Sequence, residues 1–241
     1  MLVEILSVGN ATISKSQIPI VKSIKSYIEM KSLKLHFESL LDDDDIVLDS
    51  GNEKKLVKEW IKDNYKINGN LTISDDLVVD CSGNVEVKNE SITSLTNGIF
   101  RWGVIGGGFN CNYCKNLKTL EGAPKKTGGC FDCGRCDKLT SLEGAPKNVG
   151  GYFYCGDCDK LTSLEGAPKI VGSGFYCEGC INLKSLKGAP EEVEGVFNCN
   201  CCNELKSLEG APKNVGMGFD CRKCNNLKIT DSDRKKYKII Y

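Results

Sequence analysis

Cysteine is the residue of this sequence whose number and spacing could support chemistry. Neighbouring C-x-x-C pairs are separated by 18 residues, which lies in the window typical of zinc sites that are built from two such pairs. Because two pairs supply four thiolates to one tetrahedral ion, six pairs taken two at a time predict up to three zinc sites. The cysteines concerned are Cys111, Cys114, Cys133, Cys136, Cys155, Cys158, Cys177, Cys180, Cys199, Cys202, Cys221 and Cys224.

A second interpretation makes the same cysteines part of the core. Free cysteine is often fully buried as a small apolar group. The pairs are uniform along the chain, whereas metal sites that each use two neighbouring pairs would allow the sequence to alternate from one rung to the next. The first cysteine of each pair also stands at an apolar position of the repeat described below. We therefore expect columns of buried thiols and no cofactor, with zinc as the alternative and iron–sulfur or disulfide chemistry behind it.

The N-terminus and the charge balance argue against several classes of protein. Residues 1–17 lack the basic start, apolar run and cleavage site of a signal peptide. No stretch approaches the roughly 18 apolar residues that are needed to cross a bilayer. We expect a cytoplasmic protein with reduced thiols and no membrane partner. The 32 basic and 32 acidic residues balance, and only four of the basic ones are arginine, which argues against a nucleic-acid partner.

One repeating unit of 22 residues explains most of the composition. It can be written V-G-G-x-F-x-C-x-x-C-x-x-L-x-x-L-E-G-A-P-K-x, and five of the six prolines stand at its one proline position. The F-x-C segment alternates inward and outward residues, as a half-buried strand does. Inward residues at every third position then suit a coil that turns a corner, and G-A-P and V-G-G are turn sequences that leave no room for a helix.

The repeat therefore predicts a solenoid. Each repeat forms one rung, and rungs must stack to bury their apolar faces. Parallel strands on successive rungs would then carry Phe131, Phe153, Phe175 and Phe197 inside. The fold class that we expect is α+β: a small N-terminal α+β unit that caps a mostly β solenoid of 22-residue rungs.

The segment F-x-C-x-x-C-x-x-L-x-x-L resembles the leucine-rich-repeat consensus L-x-L-x-x-N/C-x-x-L-x-x-L. The continuation LTSLEGAPKNVGG is similar to short repeats found in bacteriophage and prophage proteins. The resemblance covers residues 67–230 and implies a leucine-rich-repeat-like fold, a binding role and a location in a bacterial host cell. This chain departs from that subgroup at the second cysteine of each pair. The subgroup often has an asparagine there, which bonds the loop backbone, and a thiol is a weaker donor.

Four segments make up the predicted organisation. Residues 1–66 form the α+β capping unit, with strands near Val3 and Leu33–Leu40, a helix after Pro19 and a second helix around Leu56–Ile61 that is capped by Asn52. Residues 67–104 form degenerate early rungs, in which Val79–Cys81 matches F-x-C. Residues 105–229 contain the regular repeats, and the charged residues 230–241 form a C-terminal cap.

A charge reversal supports the stacking. The repeats carry Glu four residues before Lys, but one repeat reverses the order, with Lys187 before Glu191. If equivalent side chains stack in columns, the reversal places Lys187 between Glu165 and Glu209, and Glu191 between Lys169 and Lys213, where like charges would otherwise repel.

The candidate binding site follows from the outward residue that stands between each Phe and its Cys. Stacked on successive rungs, these residues form a stripe with tyrosines at its centre, which is a favoured arrangement for a binding hot spot. Tyr152 flanks the stripe on the rung of Tyr154. The predicted binding residues are Asn110, Asp132, Tyr152, Tyr154, Tyr176, Asn198 and Asp220.

The remaining reactive residue types form no catalytic site. His36 is the only histidine, Asp42–Asp45 lacks the spacing of a calcium loop, and the glycine runs recur at turns. We therefore expect no enzyme, but a protein-binding solenoid. With the resemblance, this would be a phage or prophage accessory protein that binds or inhibits a host defence protein. The alternatives are a protein that sequesters a small molecule or nucleotide and a zinc-binding repeat protein.

Overall fold

The computed structural model describes residues 50–240. The chain divides into two compact units, Met1–Ile46 and Val47–Tyr241, and the structure described below belongs to the second. The elements predicted near Val3, after Pro19 and over Leu33–Leu40, together with His36 and Asp42–Asp45, lie outside the described residues.

The described chain begins with helix α1 (Ser50–Asn64). A second, short helix α2 (Asp231–Lys236) comes near its end, just before the last strand. Between and after them, seventeen short strands form two sheets. The first sheet contains, in spatial order, β1 (Tyr65–Asn68), β4 (Asn84–Val87), β6 (Phe109–Asn110), β8 (Phe131–Asp132), β10 (Phe153–Tyr154), β12 (Phe175–Tyr176), β14 (Val196–Asn198), β16 (Gly218–Asp220) and β17 (Ile239–Ile240). The second contains β2 (Leu71–Ile73), β3 (Val78–Cys81), β5 (Arg101–Ile105), β7 (Lys126–Thr127), β9 (Asn148–Val149), β11 (Ile170–Val171), β13 (Glu192–Val193) and β15 (Asn214–Val215).

The strands stack as a mostly β solenoid of 22-residue rungs, which confirms the predicted fold class. Phe131 pairs with Phe153, and Phe153 pairs with Phe175, both in parallel. Only the two pairs β1–β4 and β2–β3, in the early part of the described chain, are antiparallel. The 22-residue period of the sequence therefore decides which residues pair between neighbouring strands.

Each regular rung contains two strands, whereas the repeat predicted only the strand in F-x-C. The additional strand comes just before V-G-G: Asn148 and Val149 pair in parallel with Ile170 and Val171 on the next rung. Val149 and Val171 are buried while the residues before them are exposed, so this pair alternates as a strand does. The turn sequence follows the strand and does not replace it.

A continuous stack of phenylalanine rings runs through the core. All six rings are almost completely buried. Their centroids are 5.5 Å apart from Phe109 to Phe131, 5.2 Å apart from Phe153 to Phe175 and 4.8 Å apart from Phe197 to Phe219. The rings are within 7° of parallel from Phe109 to Phe197, because equivalent backbone positions are superimposed from rung to rung.

Aromatic side chains close both ends of the stack. At the N-terminal end, Trp60 of α1 is buried and its ring centroid lies 5.6 Å from that of Phe100. At the other end, Tyr237 packs on Phe219 at 5.0 Å.

Asn52 lies inside α1, so the predicted cap at this residue is wrong: the helix begins at Ser50.

The early rungs have a different register from the predicted one. Val79 and Cys81 belong to the second sheet, where they pair with β5, so the match of Val79–Cys81 to F-x-C is wrong. Val85 occupies the phenylalanine position instead and pairs with Phe109, 24 residues later. The irregular spacing in this segment hid the alignment.

The charge reversal brings opposite charges together on neighbouring rungs. Lys187 Nζ lies 2.8 Å from a carboxylate oxygen of Glu165, and Lys213 Nζ lies 3.4 Å from Glu191. Two of the four predicted contacts are therefore present; within residues 50–240, Lys187 forms no ion pair with Glu209 and Glu191 forms none with Lys169. All four side chains are exposed, so each pair contributes on the order of 0.2–1 kcal/mol.

Candidate functional site

The residue after each phenylalanine forms one column on the outward side of the first sheet, where its side chain is half-buried except at Asp220, which is buried. The structure superimposes these residues in register from rung to rung, as predicted. The column consists of Asn110, Asp132, Tyr154, Tyr176, Asn198 and Asp220.

Four members of this column hold the turn that follows their strand. In each, a side-chain oxygen accepts a hydrogen bond from the backbone N–H two residues later, at 2.9 Å for Asn110, 3.0 Å for Asp132 and Asn198, and 3.2 Å for Asp220. This is the Asx turn that Asn and Asp commonly make. Tyr154 and Tyr176 are the two members that cannot make it, because their hydroxyls lie at the far end of the ring.

The two tyrosine rings occupy space that glycines leave open. A β-carbon at Gly134 would stand 2.2 Å from Cε1 of Tyr154, and a β-carbon at Gly174 would stand 2.5 Å from the Tyr176 ring. The Tyr176 ring centroid is 6.1 Å from Tyr152 and 6.4 Å from Tyr154. Tyr154 and Tyr176 are therefore half-buried against the rungs, and Tyr152 is 39% exposed beside them.

The three tyrosines line a cleft with a volume of about 380 Å³, which we call the tyrosine cleft. Its lining residues are Asn112, Asp132, Gly134, Arg135, Tyr152, Tyr154, Tyr176 and Glu178. Four of the predicted binding residues are among them. The other three, Asn110, Asn198 and Asp220, lie outside the lining.

Asn112, Gly134, Arg135 and Glu178 are not among the binding residues predicted from the sequence. They stand two or three positions after the outward column, in the turn that leads to the second cysteine. One signal in the sequence was available: the residue between the two cysteines that is glycine at 134 and 156 is Asn, Glu or Arg on the other regular rungs. Gly134 and Gly156 are the two positions that the Tyr154 ring covers.

Two carboxyl groups face the cleft from different rungs. Asp132 accepts hydrogen bonds from Gly134 N and, at 3.2 Å, from Asn112 Nδ2. Burial raises the pKa of the Asp132 carboxyl, although these hydrogen bonds oppose the shift. Burial also raises the pKa of the Glu178 carboxyl, and the negative charge of Asp157 adds to the effect, whereas the neighbouring Tyr154 hydroxyl opposes it. Glu178 Oε2 is buried without a hydrogen-bond partner.

Arg135 stands at the edge of the cleft and is engaged on both sides. Its Nη1 donates to the Tyr113 hydroxyl, and its Cζ lies 5.1 Å from the centroid of the Tyr113 ring. Its Nε lies 3.4 Å from Asp157. The pKa of Arg135 is raised, first by Tyr113. Tyr113, Arg135 and Asp157 are equivalent residues of three successive rungs, and all have positive φ.

The paired cysteines form two buried columns. In the second column, each thiol from Cys136 to Cys224 donates to the backbone carbonyl of the first cysteine one rung earlier: Cys158 Sγ lies 3.4 Å from Cys133 O, and Cys202 Sγ lies 3.2 Å from Cys177 O. These thiols thus bond the backbone of the neighbouring rung. Burial raises the pKa of the Cys158 thiol to about 12, so this donor is protonated at neutral pH.

These thiol contacts need no metal ion. Across residues 50–240, no group of three or more Cys, His, Asp or Glu side chains is arranged to hold one. Zinc stays the alternative that metal analysis tests. Three cysteines lie outside the columns: Cys81 is buried, whereas Cys130 and Cys201 are partly exposed.

None of the helices between residues 50 and 240 is long and apolar enough to cross a membrane.

No family model, curated protein or solved structure matches this chain.

Proposed function

We propose that this protein is a binding module and that the tyrosine cleft is the centre of its contact with a protein partner. The observation that carries the proposal is the departure of Tyr154 and Tyr176 from their column. Asn and Asp at the equivalent positions stabilise the turn after the strand. The two tyrosines give up that hydrogen bond and place aromatic surface outside the core, which the solenoid itself does not require.

The surroundings of the two rings fit a hot spot. Tyrosine is enriched at the centre of interfaces, where a large ring is immobilised at a low cost in entropy. The rings are already held by Tyr152 and by the backbone at Gly134 and Gly174. A partner would therefore meet a preformed surface, which reduces the ordering cost of binding.

A small-molecule ligand is the second candidate, and the cleft itself favours it. Its volume of about 380 Å³ lies at the lower end of the range of ligand pockets. Its lining combines aromatic rings with a few polar groups, as such pockets do. Denaturing the purified protein and identifying released compounds by mass spectrometry separates the two candidates: a stoichiometric small molecule would support the second.

Capture of a partner tests the first candidate. We expect the wild-type protein to retain one stoichiometric protein from a bacterial lysate and the double variant Tyr154→Ala/Tyr176→Ala to lose it. The matched control is Asn148→Ala/Ile170→Ala, which changes exposed residues of the same two rungs on the second sheet. Equal capture by all three proteins would place the contact elsewhere and contradict the proposal.

The proposed biological setting comes from the repeats alone. Their similarity to repeats of phage and prophage proteins supports an accessory protein that acts in a bacterial host cell on a host protein, including a defence protein. The partner identified by capture tests this setting as well.

A further inference from the structure

The tyrosine cleft contains more negative than positive charge that is available to a ligand. Its only basic lining residue is Arg135, which Tyr113 and Asp157 already engage. Neither Asp132 nor Glu178 forms an ion pair within residues 50–240. Two carboxyl groups thus face the cleft outside any ion pair, although the charge of Arg135 acts on Asp132.

Glu178 also has unused hydrogen-bonding capacity. A buried carboxylate oxygen without a donor is costly and uncommon in folded proteins, and Glu178 Oε2 is in that state. Oε2 itself is buried beside the cleft, so a donor from a ligand reaches it only when the Glu178 side chain turns toward the cleft that it lines. Its neighbours in the cleft include Tyr154 and Tyr176.

The rings supply the other half of a cation site. The face of a tyrosine ring attracts a cation through its quadrupole, and the attraction grows when the cation is desolvated. Three rings lie within 6.4 Å of a neighbouring ring centroid in this cleft. Charge and aromatic surface together favour a ligand that has both a positive charge and an N–H donor.

We infer that the cleft receives a basic side chain, lysine or arginine, from the protein partner, with the charged group against the tyrosine rings and an N–H directed at Glu178. This inference rests on the proposed function, since it names the chemistry by which the partner is recognised. Lysine and arginine combine a cation with N–H donors and an apolar stem. A neutral or acidic group would leave the two carboxyl groups unpaired.

Short peptides test the chemistry directly. The probes are acetyl-Gly-Arg-Gly-amide and acetyl-Gly-Lys-Gly-amide, with acetyl-Gly-citrulline-Gly-amide as a neutral control of almost the same shape. We expect the basic peptides to cause saturable NMR shifts of the Tyr152, Tyr154 and Tyr176 signals of the full chain at millimolar concentration. The citrulline peptide should bind about tenfold more weakly or not at all, a difference of about 1.4 kcal/mol.

Two isosteric variants remove the charges while retaining the local structure. Glu178→Gln keeps the size of the side chain, and Asp132→Asn installs the residue that naturally holds the same turn at Asn110 and Asn198. We expect each variant to weaken the basic peptides several-fold and to leave the citrulline peptide unchanged. Unchanged binding of the basic peptides by both variants would overturn the inference.

Further outcomes separate this inference from the proposed function. Tetramethylammonium that binds as tightly as the arginine peptide would indicate a small organic cation and overturn the assignment to a side chain. Equal binding of the arginine and citrulline peptides would overturn the role of charge. If Glu178→Gln and Asp132→Asn still capture the partner fully while Tyr154→Ala/Tyr176→Ala does not, the proposed function stands and the basic side chain is excluded.

Discussion

The ring of Tyr154 lies over Gly134 of the preceding rung, where a β-carbon would stand 2.2 Å from its Cε1 atom. The contact is with a side chain that can rotate away, and the backbone of Gly134 is not in the left-handed region. We therefore expect Gly134→Ala to fold normally but to displace the Tyr154 ring, so that partner capture falls at least tenfold. Gly174→Ala should act in the same way on Tyr176.

The measurement for these glycine variants is capture, together with the melting temperature. A matched control is Ser173→Ala, which adds no atom beside Gly174. Undiminished capture by Gly134→Ala and Gly174→Ala with native melting temperatures would show that the ring positions are irrelevant to binding.

The carboxyl of Glu178 should oppose folding at neutral pH. Burial, above all, raises its pKa in the folded state, so the folded chain binds more protons than the unfolded chain between the two pKa values, and this group's contribution to stability increases as pH falls. We expect Glu178→Gln to melt slightly higher than wild type at pH 7. The difference should vanish below about pH 4, where both side chains are neutral.

Thermal melts of wild type and Glu178→Gln across this pH range check that prediction. The comparison cancels the groups whose pKa values are lowered, such as Asp220 beside Arg222. A variant that is less stable at pH 7 and equally stable at low pH would mean that the carboxylate is stabilised in the folded protein, contrary to the pKa shift.

Phe175 should be among the most costly core residues to truncate. Its ring is fully buried and stacks on Phe153 and Phe197 at 5.2 Å. We expect Phe175→Ala to lower the free energy of unfolding by about 3–5 kcal/mol, because a cavity is left between two rungs. Denaturant titration measures the loss, and Phe175→Leu should lose clearly less. A change below about 1 kcal/mol in the alanine variant would contradict the stacked core.

Whole rungs should be removable. Deleting residues 157–178 or residues 179–200 takes out one period and joins equivalent positions, and each rung contacts only its neighbours. We expect both shortened chains to fold. Only the first loses Tyr176 and Glu178, so only the first should lose partner capture.

Circular dichroism and cooperative unfolding report whether these deletions fold. Deleting half a rung, residues 157–167, is the control, because it places corner residues opposite strand residues and should give an insoluble chain. An unfolded chain after both whole-rung deletions would contradict the register that is seen in the sheets.

The thiols should divide into two classes. Cys130, Cys201 and Cys224 are partly exposed and the other cysteines are buried. Thiol titration of the native protein should therefore give about three rapidly reacting groups, and the remainder should react after unfolding. Metal analysis of the same sample should give well under one zinc per chain. About three zinc ions per chain would replace the thiol columns with the zinc alternative.

Two features of the regular rungs could be derived from the sequence: the direction of each side chain in the F-x-C strand and the stacking of equivalent residues. The first depends only on residues that are close together in the chain. The alternation in F-x-C identifies a strand with Phe131 inward and Asp132 outward, whatever lies on the next rung. The constant spacing then requires that equivalent residues stack. The inward phenylalanines, the outward column and the pairing of Lys187 with Glu165 follow from these two facts.

The second sheet and the early register depended on contacts across rungs. A two-residue strand such as Asn148–Val149 has no signature of its own, since it exists only through hydrogen bonds to residues 22 positions away. In the early rungs the spacing is irregular, and only the pairing of Val85 with Phe109 shows which residues are equivalent.

The sequence by itself determined the period, the inward columns and the tyrosines at the centre of the outward face. Only the tertiary structure decided which surface those tyrosines form. The Tyr154 ring could lean toward either neighbouring rung, and it lies over Gly134 of the preceding one. Glu178 reaches the same cleft from the following rung, two residues beyond Tyr176. Such a juxtaposition depends on side-chain direction and on space left by a neighbour, and neither is written in the repeat of a single rung.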